Sequence, residues 1–343
     1  MKKVVIIGGG FAGAYIARKL EKSFDVTLID TKNYFEFTPS VLRTLVEPEH
    51  VHSIQRNHTK YLQQARVVQD HDREVREHDV TTTKETFPFE YLIICSGSRY
   101  NSPIKEEDLA IVSRAAELRR FAQKLQKAHH VLIIGGGIVG VELAAEIVTH
   151  YPHKKITLVH AHSRVMERMP PHISHYAEKF LTKRGVQIMY NNRVEVNQGK
   201  TYHLSRGEKM TPDMAFLCTG ITPHSEFMEK HFFPLLSDKK YVNVTNTLQV
   251  KGMKHMFAAG DVTSIREEKT AQNAEKQAQI VVENIVHTER GEALTEYHSN
   301  PRMMVISLGR WKGILTYKNV VLTGIIPGIL KTVIEWKTMW RYR

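Results

Sequence analysis

Apolar residues in this chain gather in short runs that break at glycine. Val4-Val5-Ile6-Ile7 runs into Gly8, and Val131-Leu132-Ile133-Ile134 runs into Gly135. Unbroken apolar runs of this length predict strands buried on both faces. After each glycine turn, small and apolar residues recur at helical spacing. A second apolar strand follows and ends at a polar residue, Val26-Thr27-Leu28-Ile29-Asp30 in one case and Ile156-Thr157-Leu158-Val159-His160 in the other. Residues 4–17 and 131–144 form a near-repeat, VVIIGGGFAGAYIA against VLIIGGGIVGVELA. Strand–helix–strand units of this kind make right-handed parallel crossovers. Phe89–Cys95, ahead of Ser96-Gly97, and Met214–Cys218, ahead of Thr219-Gly220, predict a further buried strand for each unit. Met256–Ala259, then Gly260-Asp261 and a helix through 271–286, resume the first unit. From residue 302 the pattern predicts β-like runs at 303–308, 314–317 and 320–322, then a helix from Pro327 to Trp340.

The glycines give these units a chemistry. In Gly8-x-Gly10-x-x-Gly13 the first glycine permits a tight turn and the second lets backbone approach a pyrophosphate. The third lets helix pack on strand, while the helix N-terminus offers free N–H groups to phosphate. Asp30, at the end of the next strand, suits the hydroxyls of an adenosine ribose. Gly135-x-Gly137-x-x-Gly140 is placed in the same way. Its strand ends on His160, followed by Ala161-His162-Ser163-Arg164, with no carboxylate to repel a 2′-phosphate, so NADH and NADPH both stay open. The expected fold class is α/β, with two Rossmann-like dinucleotide-binding domains and a C-terminal β/α extension. The expected division is 1–103 with 222–300 for one domain, 104–221 for the other, and 301–343 for the C-terminal segment.

Charge changes the picture at one end. The formal net charge is +12, and residues 302–343 hold eight Lys or Arg against the single acid Glu335. A basic segment suits nucleic acid or an anionic membrane. Here the charges alternate with large apolar residues, which favours a membrane and makes nucleic acid the weaker partner. On a helical wheel Ile326, Ile329, Leu330, Val333, Ile334, Trp336 and Trp340 share a broad face, as in a helix lying on lipid. Packing on the protein itself, or on a second copy in a homodimer, is the alternative. No apolar run is long enough to span a bilayer, so the expected place is the cytoplasm or a membrane face open to it. The two cysteines, Cys95 and Cys218, lie in apolar runs and are read as buried core residues. Neighbouring histidines (50/52, 129/130, 160/162) lack metal-ligand spacing and are read as surface residues, with no metal expected.

Both fingerprints, the two Ser/Thr-Gly strand ends and Gly260-Asp261 together resemble the two-dinucleotide-binding-domain flavoproteins, over residues 1 to about 290. The resemblance implies FAD in the first domain, held by Gly8, Gly10, Phe11, Ala12, Gly13, Asp30, Lys32, Arg43, Val68, Ser96, Gly97, Gly260, Asp261, Thr270 and Ala271. It implies NADH or NADPH in the second, held by Gly135, Gly137, Ile138, Val139, Gly140, Glu142, His160, Thr219 and Gly220. Disulfide reductases of that family need a redox cysteine pair, which this chain lacks, so electrons would pass from flavin directly to an acceptor. Gly140–Glu146, Tyr151-Pro152, Val159-His160, Ser307–Arg310 and Trp336–Met339 resemble type II NADH dehydrogenases and the ferroptosis-suppressor (apoptosis-inducing-factor-like) proteins. This implies reduction of a membrane quinone. Glu142 would lie near the nicotinamide, a structural glutamate being the alternative, and Lys269, Gln272, Lys331 and Trp336 would lie around the acceptor. Residue 2 is Lys rather than Gly, which removes an N-myristoyl anchor and leaves the C-terminal segment to replace it. A DNA-binding or signalling flavoprotein, and a soluble reductase of a protein electron carrier, are the rival readings.

Overall fold

A computed structural model describes residues 1–99, 114–198, 201–299 and 303–343. The domain boundary expected at 103/104 falls outside these. Strand β1 (Lys3–Ile7) leads into α1 (Phe11–Leu20), β2 (Asp25–Asp30), β3 (Arg66–Gln69) and β4 (Tyr91–Ile94). Helix α2 (Arg114–Lys127) precedes β5 (His130–Ile134), α3 (Ile138–His150), β6 (Lys155–Val159), α4 (Pro171–Thr182), β7 (Gln187–Met189) and β8 (Met214–Leu217). The chain ends with β9 (Met256–Ala258), α5 (Ala271–Arg290), β10 (Met304–Ser307), β11 (Gly313–Tyr317), β12 (Val320–Gly324) and α6 (Ile325–Trp340).

The first sheet runs β9-β4-β1-β2-β3 and the second β7-β6-β5-β8, every pair parallel. Their registers repeat. Val4 faces Val26 and Tyr91, and Val131 faces Ile156 and Met214. Strand β9, which follows the second sheet in sequence, returns to close the edge of the first. The two passages between sheets pair with each other, Ser98 opposite Pro223 and Arg99 opposite Thr222. Helices lie on one face, and on the other face of the second sheet Leu132, Ile134 and Val159 pack against Val194, Tyr202, Leu204 and Met210, so the central strands bury nearly every side chain: Val4, Ile6, Leu28, Leu92 and Ile93 are fully inaccessible. Each such residue contributes about 1.5–3 kcal/mol relative to an exposed position.

Glycine is required where helix crosses strand. A Cβ on Gly13 would lie 1.8 Å from the Gly8 carbonyl oxygen, and one on Gly140 would lie 1.9 Å from that of Gly135. Nothing larger fits. Gly8 and Gly135 themselves have φ of +96° and +107°, left-handed backbone that glycine adopts without steric cost.

The C-terminal segment is a three-stranded antiparallel sheet, β10-β11-β12, with α6 packed on it and β10 against α3. Beyond α6 the chain turns into the first unit. Arg18 of α1 donates to the Arg341 carbonyl, and Arg341 reaches Glu275 at 3.2 Å. Tyr342, only 2% exposed, stacks on Phe35 with centroids 4.1 Å apart and meets Tyr61 edge-on at 4.9 Å. This penultimate residue is core. Tyr342→Ala is expected to lower unfolding free energy by about 3 kcal/mol, and Tyr342→Phe, which keeps the ring, by much less. Denaturant titration of both variants checks this; equal losses would mean that the ring packing is not what counts.

Candidate functional site

The strands of both sheets deliver their glycine turns to one cavity of about 1730 Å³, which α6 borders as well. That exceeds the roughly 300–1,000 Å³ of a small-molecule pocket and leaves room for two extended ligands.

At the first turn, Gly10 caps α1 with no side-chain hydrogen bond to the first-turn amides, so those donors face the cavity. A Cβ at Gly10 would meet nothing within 4 Å, so the open side of the turn is shaped for a ligand. Phe11 and Ala12 line the same wall. Asp30 Oδ2 accepts from the Gly9 amide at 2.5 Å and Oδ1 from the Lys32 amide at 2.9 Å, with Lys32 Nζ 3.5 Å from Oδ1. Burial alone would raise the Asp30 carboxyl, yet Lys32, His58 and the two amides outweigh it and hold Asp30 below its ordinary range. The ionised carboxylate can accept ribose hydroxyls while it braces the turn. Ser96, Gly97, Gly260, Thr270 and Ala271 line the opposite side, where Asp261 Oδ2 accepts from Ser98 Oγ at 2.7 Å. Gly260 N–H donates to Gln277 Oε1, which fixes the turn before α5.

Behind Gly9 lies a support that no motif announces. His58 is fully buried, with Nδ1 2.5 Å from the Tyr61 hydroxyl and Nε2 unpartnered beside Gly9 and Asp30. Tyr61 in turn meets Tyr342, so the C-terminus buttresses the adenosine end of the first cleft. Burial pulls the His58 imidazole from 6.5 down to about 4.

The second turn repeats the plan with a different side chain. Gly137 caps α3, again without a side-chain cap and with open space on its cavity side, and Ile138 and Val139 line the wall. His160 Nδ1 accepts from the Gly136 amide at 3.0 Å, the role that Asp30 plays at Gly9. Its Nε2 lies 3.1 Å from Glu167 Oε2, and His162 Nε2 lies 3.8 Å from Glu167 Oε1. Two expectations change. His160 is a buried bracket at 6% exposure, not a surface residue, and a carboxylate does stand at this cleft, supplied by Glu167. Arg164, expected near a 2′-phosphate, donates to the Glu167 carbonyl instead and does not line the cavity. Thr219 and Gly220 close the far side.

Between the clefts the C-terminal segment meets α3. Glu142 Oε1 accepts from the Ser307 amide at 2.7 Å and from Lys331 Nζ at 2.8 Å, and both Glu142 and Lys331 line the cavity. Behind them Glu146 accepts from Ser307 Oγ, and burial raises its carboxyl above the usual range against the pull of Arg43 and Lys331. His50 meets Glu335 at 3.2 Å, so His50 is also no surface residue. Lys269 lines the cavity, but its ammonium donates to the Thr263 and Ile265 carbonyls at 2.7 and 3.0 Å. Burial lowers its pKa, against Asp261 and Glu267. Gln272, also on the wall, donates to the Met303 carbonyl.

Five further expected positions lie off the cavity. Gly13 and Gly140 sit behind their turns, in the packing role expected of them. Arg43 and Val68 do not contact the first cleft. The Arg43 guanidinium turns away to Glu146, 3.9 Å distant, and Val68 is a core residue of β3 opposite Ile29. Trp336, expected at the acceptor, points outward at 61% exposure. Cys95 and Cys218 are buried free thiols at the ends of different sheets, and burial pushes both upward, Cys218 to about 12.

Two bare helix N-termini over glycine cradles, each with its turn amide held by a strand-end side chain, fit two dinucleotides. The chain belongs to the family described as pyridine nucleotide-disulphide oxidoreductase, whose model matches residues 2–278. It is an NAD(P)H-dependent flavoenzyme, with FAD and NAD(P)H as cofactors. Among relatives, it is 30% identical to apoptosis-inducing factor homolog B of Dictyostelium discoideum, over 91% of this chain and 89% of that one. It is 27% identical to human ferroptosis suppressor protein 1, over 98% and 95%. The fold matches that of NDH2 from Plasmodium falciparum in complex with NADH, at a TM-score of 0.86 and 15% identity, over 100% and 96%.

The buried His58 yields a pH dependence. Above its unfolded pKa of 6.5 both states leave it neutral; between 6.5 and about 4 the unfolded chain takes up a proton that the folded one refuses. Stability therefore falls as pH drops through that window, by roughly 3 kcal/mol when complete. Unfolding free energies from pH 7 to 4 should show a shallower fall in His58→Gln than in the wild type; parallel curves would mean that His58 titrates freely.

Proposed function

We propose that the protein is an NAD(P)H:quinone oxidoreductase that works on a membrane surface facing the cytoplasm. In this reading residues 1–103 and 222–300 hold FAD and residues 104–221 hold NAD(P)H. Residues 301–343 form the acceptor side. The observation that carries it is the inside-out arrangement of α6. Its protein-facing side carries Glu335, Thr338 and Lys331, whereas Ile325, Ile326, Ile329, Val333, Trp336 and Trp340 are about half exposed or more. Trp311, Val320 and Leu322 continue the apolar surface onto the adjoining sheet. A contiguous apolar patch of this kind marks an interaction site, and tryptophans with flanking Lys337, Arg343, Lys312 and Lys318 suit anionic lipid. No helix among the described residues is long and apolar enough to cross a membrane, which leaves contact from one side.

The same helix contributes Lys331, Ile334, Lys337 and Thr338 to the cavity wall, so an acceptor dissolved in lipid would approach along it. FAD, when bound, supplies hydride acceptance from NAD(P)H and electron delivery to the quinone. The chain's own groups position and exclude. The Glu142–Lys331 pair ties the nicotinamide-side helix to the acceptor-side helix, and Glu146 is placed to hold a proton behind it. Lys269 and Gln272, tied to carbonyls, shape the pocket beside the N-terminus of α5. With no cysteine beside another, a dithiol step has no residues to carry it.

NADH and NADPH oxidation by the FAD-loaded protein should rise well above the oxygen background when a short-chain quinone is added; no stimulation would end the quinone reading. The double variant Ile326→Ser with Trp340→Ser should float with anionic vesicles at least about fivefold less than wild type while turning over soluble quinone at an unchanged rate. A wild type that stays with the soluble fraction and forms a dimer by light scattering would assign this face to a second copy and overturn the membrane reading.

A further inference from the structure

The second cleft reaches the same end as the first by another route. At Gly9 the strand-end residue is an acid that both braces the turn and keeps an oxygen for a ligand. At Gly136 the strand-end residue is His160. Its Nδ1 accepts the backbone N–H, so that nitrogen carries no proton, and the proton of the neutral ring sits on Nε2. Nε2 then donates to Glu167 Oε2, 3.1 Å away. The loop that brings Glu167 there is fixed on the glycine turn itself, because the Met166 amide donates to the Gly136 carbonyl at 2.7 Å. Arg164 holds the Glu167 carbonyl from the other side.

The local charge is set by few groups. Arg164 keeps its charge but is turned to the Glu167 carbonyl and away from the cavity wall, and Arg168 extends toward Glu268, 3.7 Å away. Hydrogen bonds and the two imidazoles keep Glu167 below the ordinary carboxylate range despite its partial burial. Glu167 thus presents a negative charge on the cavity wall, with Oε1 lying beyond hydrogen-bond reach of His162 and open to a hydroxyl donor. A carboxylate accepts from a hydroxyl and repels a phosphate.

We propose that Glu167, carried by His160 over the second glycine turn, replaces the strand-end acid and makes this cleft select a dinucleotide with a free 2′-hydroxyl, NADH, over its 2′-phosphorylated counterpart. The inference rests on the second cleft holding the nicotinamide coenzyme. Arg193 and Glu195, of opposite charge, also line this part of the cavity.

Calorimetric titration of the FAD-loaded protein with ADP-ribose and with 2′-phospho-ADP-ribose reads the selection without hydride transfer. The wild type is expected to bind ADP-ribose at least about tenfold more tightly. Glu167→Gln should bring the two affinities within about threefold by strengthening binding of the phosphorylated ligand. His160→Asp combined with Glu167→Gln should restore the preference, because an aspartate can brace Gly136 as Asp30 braces Gly9. The flavin spectrum of each variant verifies folding. A wild type that prefers the 2′-phosphate, or a Glu167→Gln variant with an unchanged ratio, overturns the assignment of Glu167 alone. If neither ligand binds, the nicotinamide assignment of the second cleft falls, and this one with it.

Discussion

Everything in this protein hangs from the contact between a glycine in the first turn of a helix and the carbonyl of the strand before it. Gly13 against Gly8 and Gly140 against Gly135 bring helix and strand closer than any side chain would permit. That approach aims the helix N-terminus, with its unpaired amides, into the cavity. It also leaves one turn amide, Gly9 or Gly136, directed at the neighbouring strand, where it needs an acceptor. Asp30 and His160 are the two answers, and each then sets the electrostatics of its own cleft. Cys95 and Cys218 support the same arrangement from behind, since their carbonyls pack where a Cβ on Gly8 or Gly135 would stand.

The C-terminal segment is a wall of the site. Its inner side is polar because it fills the space between two units that present charged groups there: Glu142 and Glu146 from α3, His50 and Arg43 from the first unit. Buried charges of this kind are tolerated when each finds a partner, and removing one partner costs more than the pair contributes. Lys331 and Glu335 supply such partners, and Tyr342 anchors the end in the aromatic cluster under Gly9. With Lys331, Glu335 and Thr338 engaged inward beside Met339, most of the large apolar residues of α6 are left outside. The usual amphipathic order is reversed by the company the helix keeps.

The family's description names disulphides, but this chain has the fold without a redox pair of thiols. Both cysteines sit at the strand-end position beside a glycine turn, buried and with their thiols held protonated by desolvation, in two different sheets. Two half-sites of like architecture remain, with no thiol pair between them.

The strands, the crossover helices, the glycine turns and Asp30 were legible in the residues themselves, because each answers a local backbone requirement. Apolar runs mark strands buried on both faces, and only glycine permits the close approach and the positive φ. The C-terminal strands and helix were legible for the same reason, and α6 begins two residues before the expected Pro327 because Ile325 and Ile326 still satisfy helical spacing. What the sequence could not disclose were pairings set by loop paths. Glu167 reaches His160 from seven positions along an irregular stretch, His58 supports Asp30 from a short turn, and Glu335 meets His50 from far along the chain. The same holds for Arg43, whose guanidinium the fold aims at Glu146. Periodicity and glycine spacing are written residue by residue and so determine the two-cleft scaffold. Which charges meet at its walls depends on distant backbone coming together, and only the tertiary structure decided that.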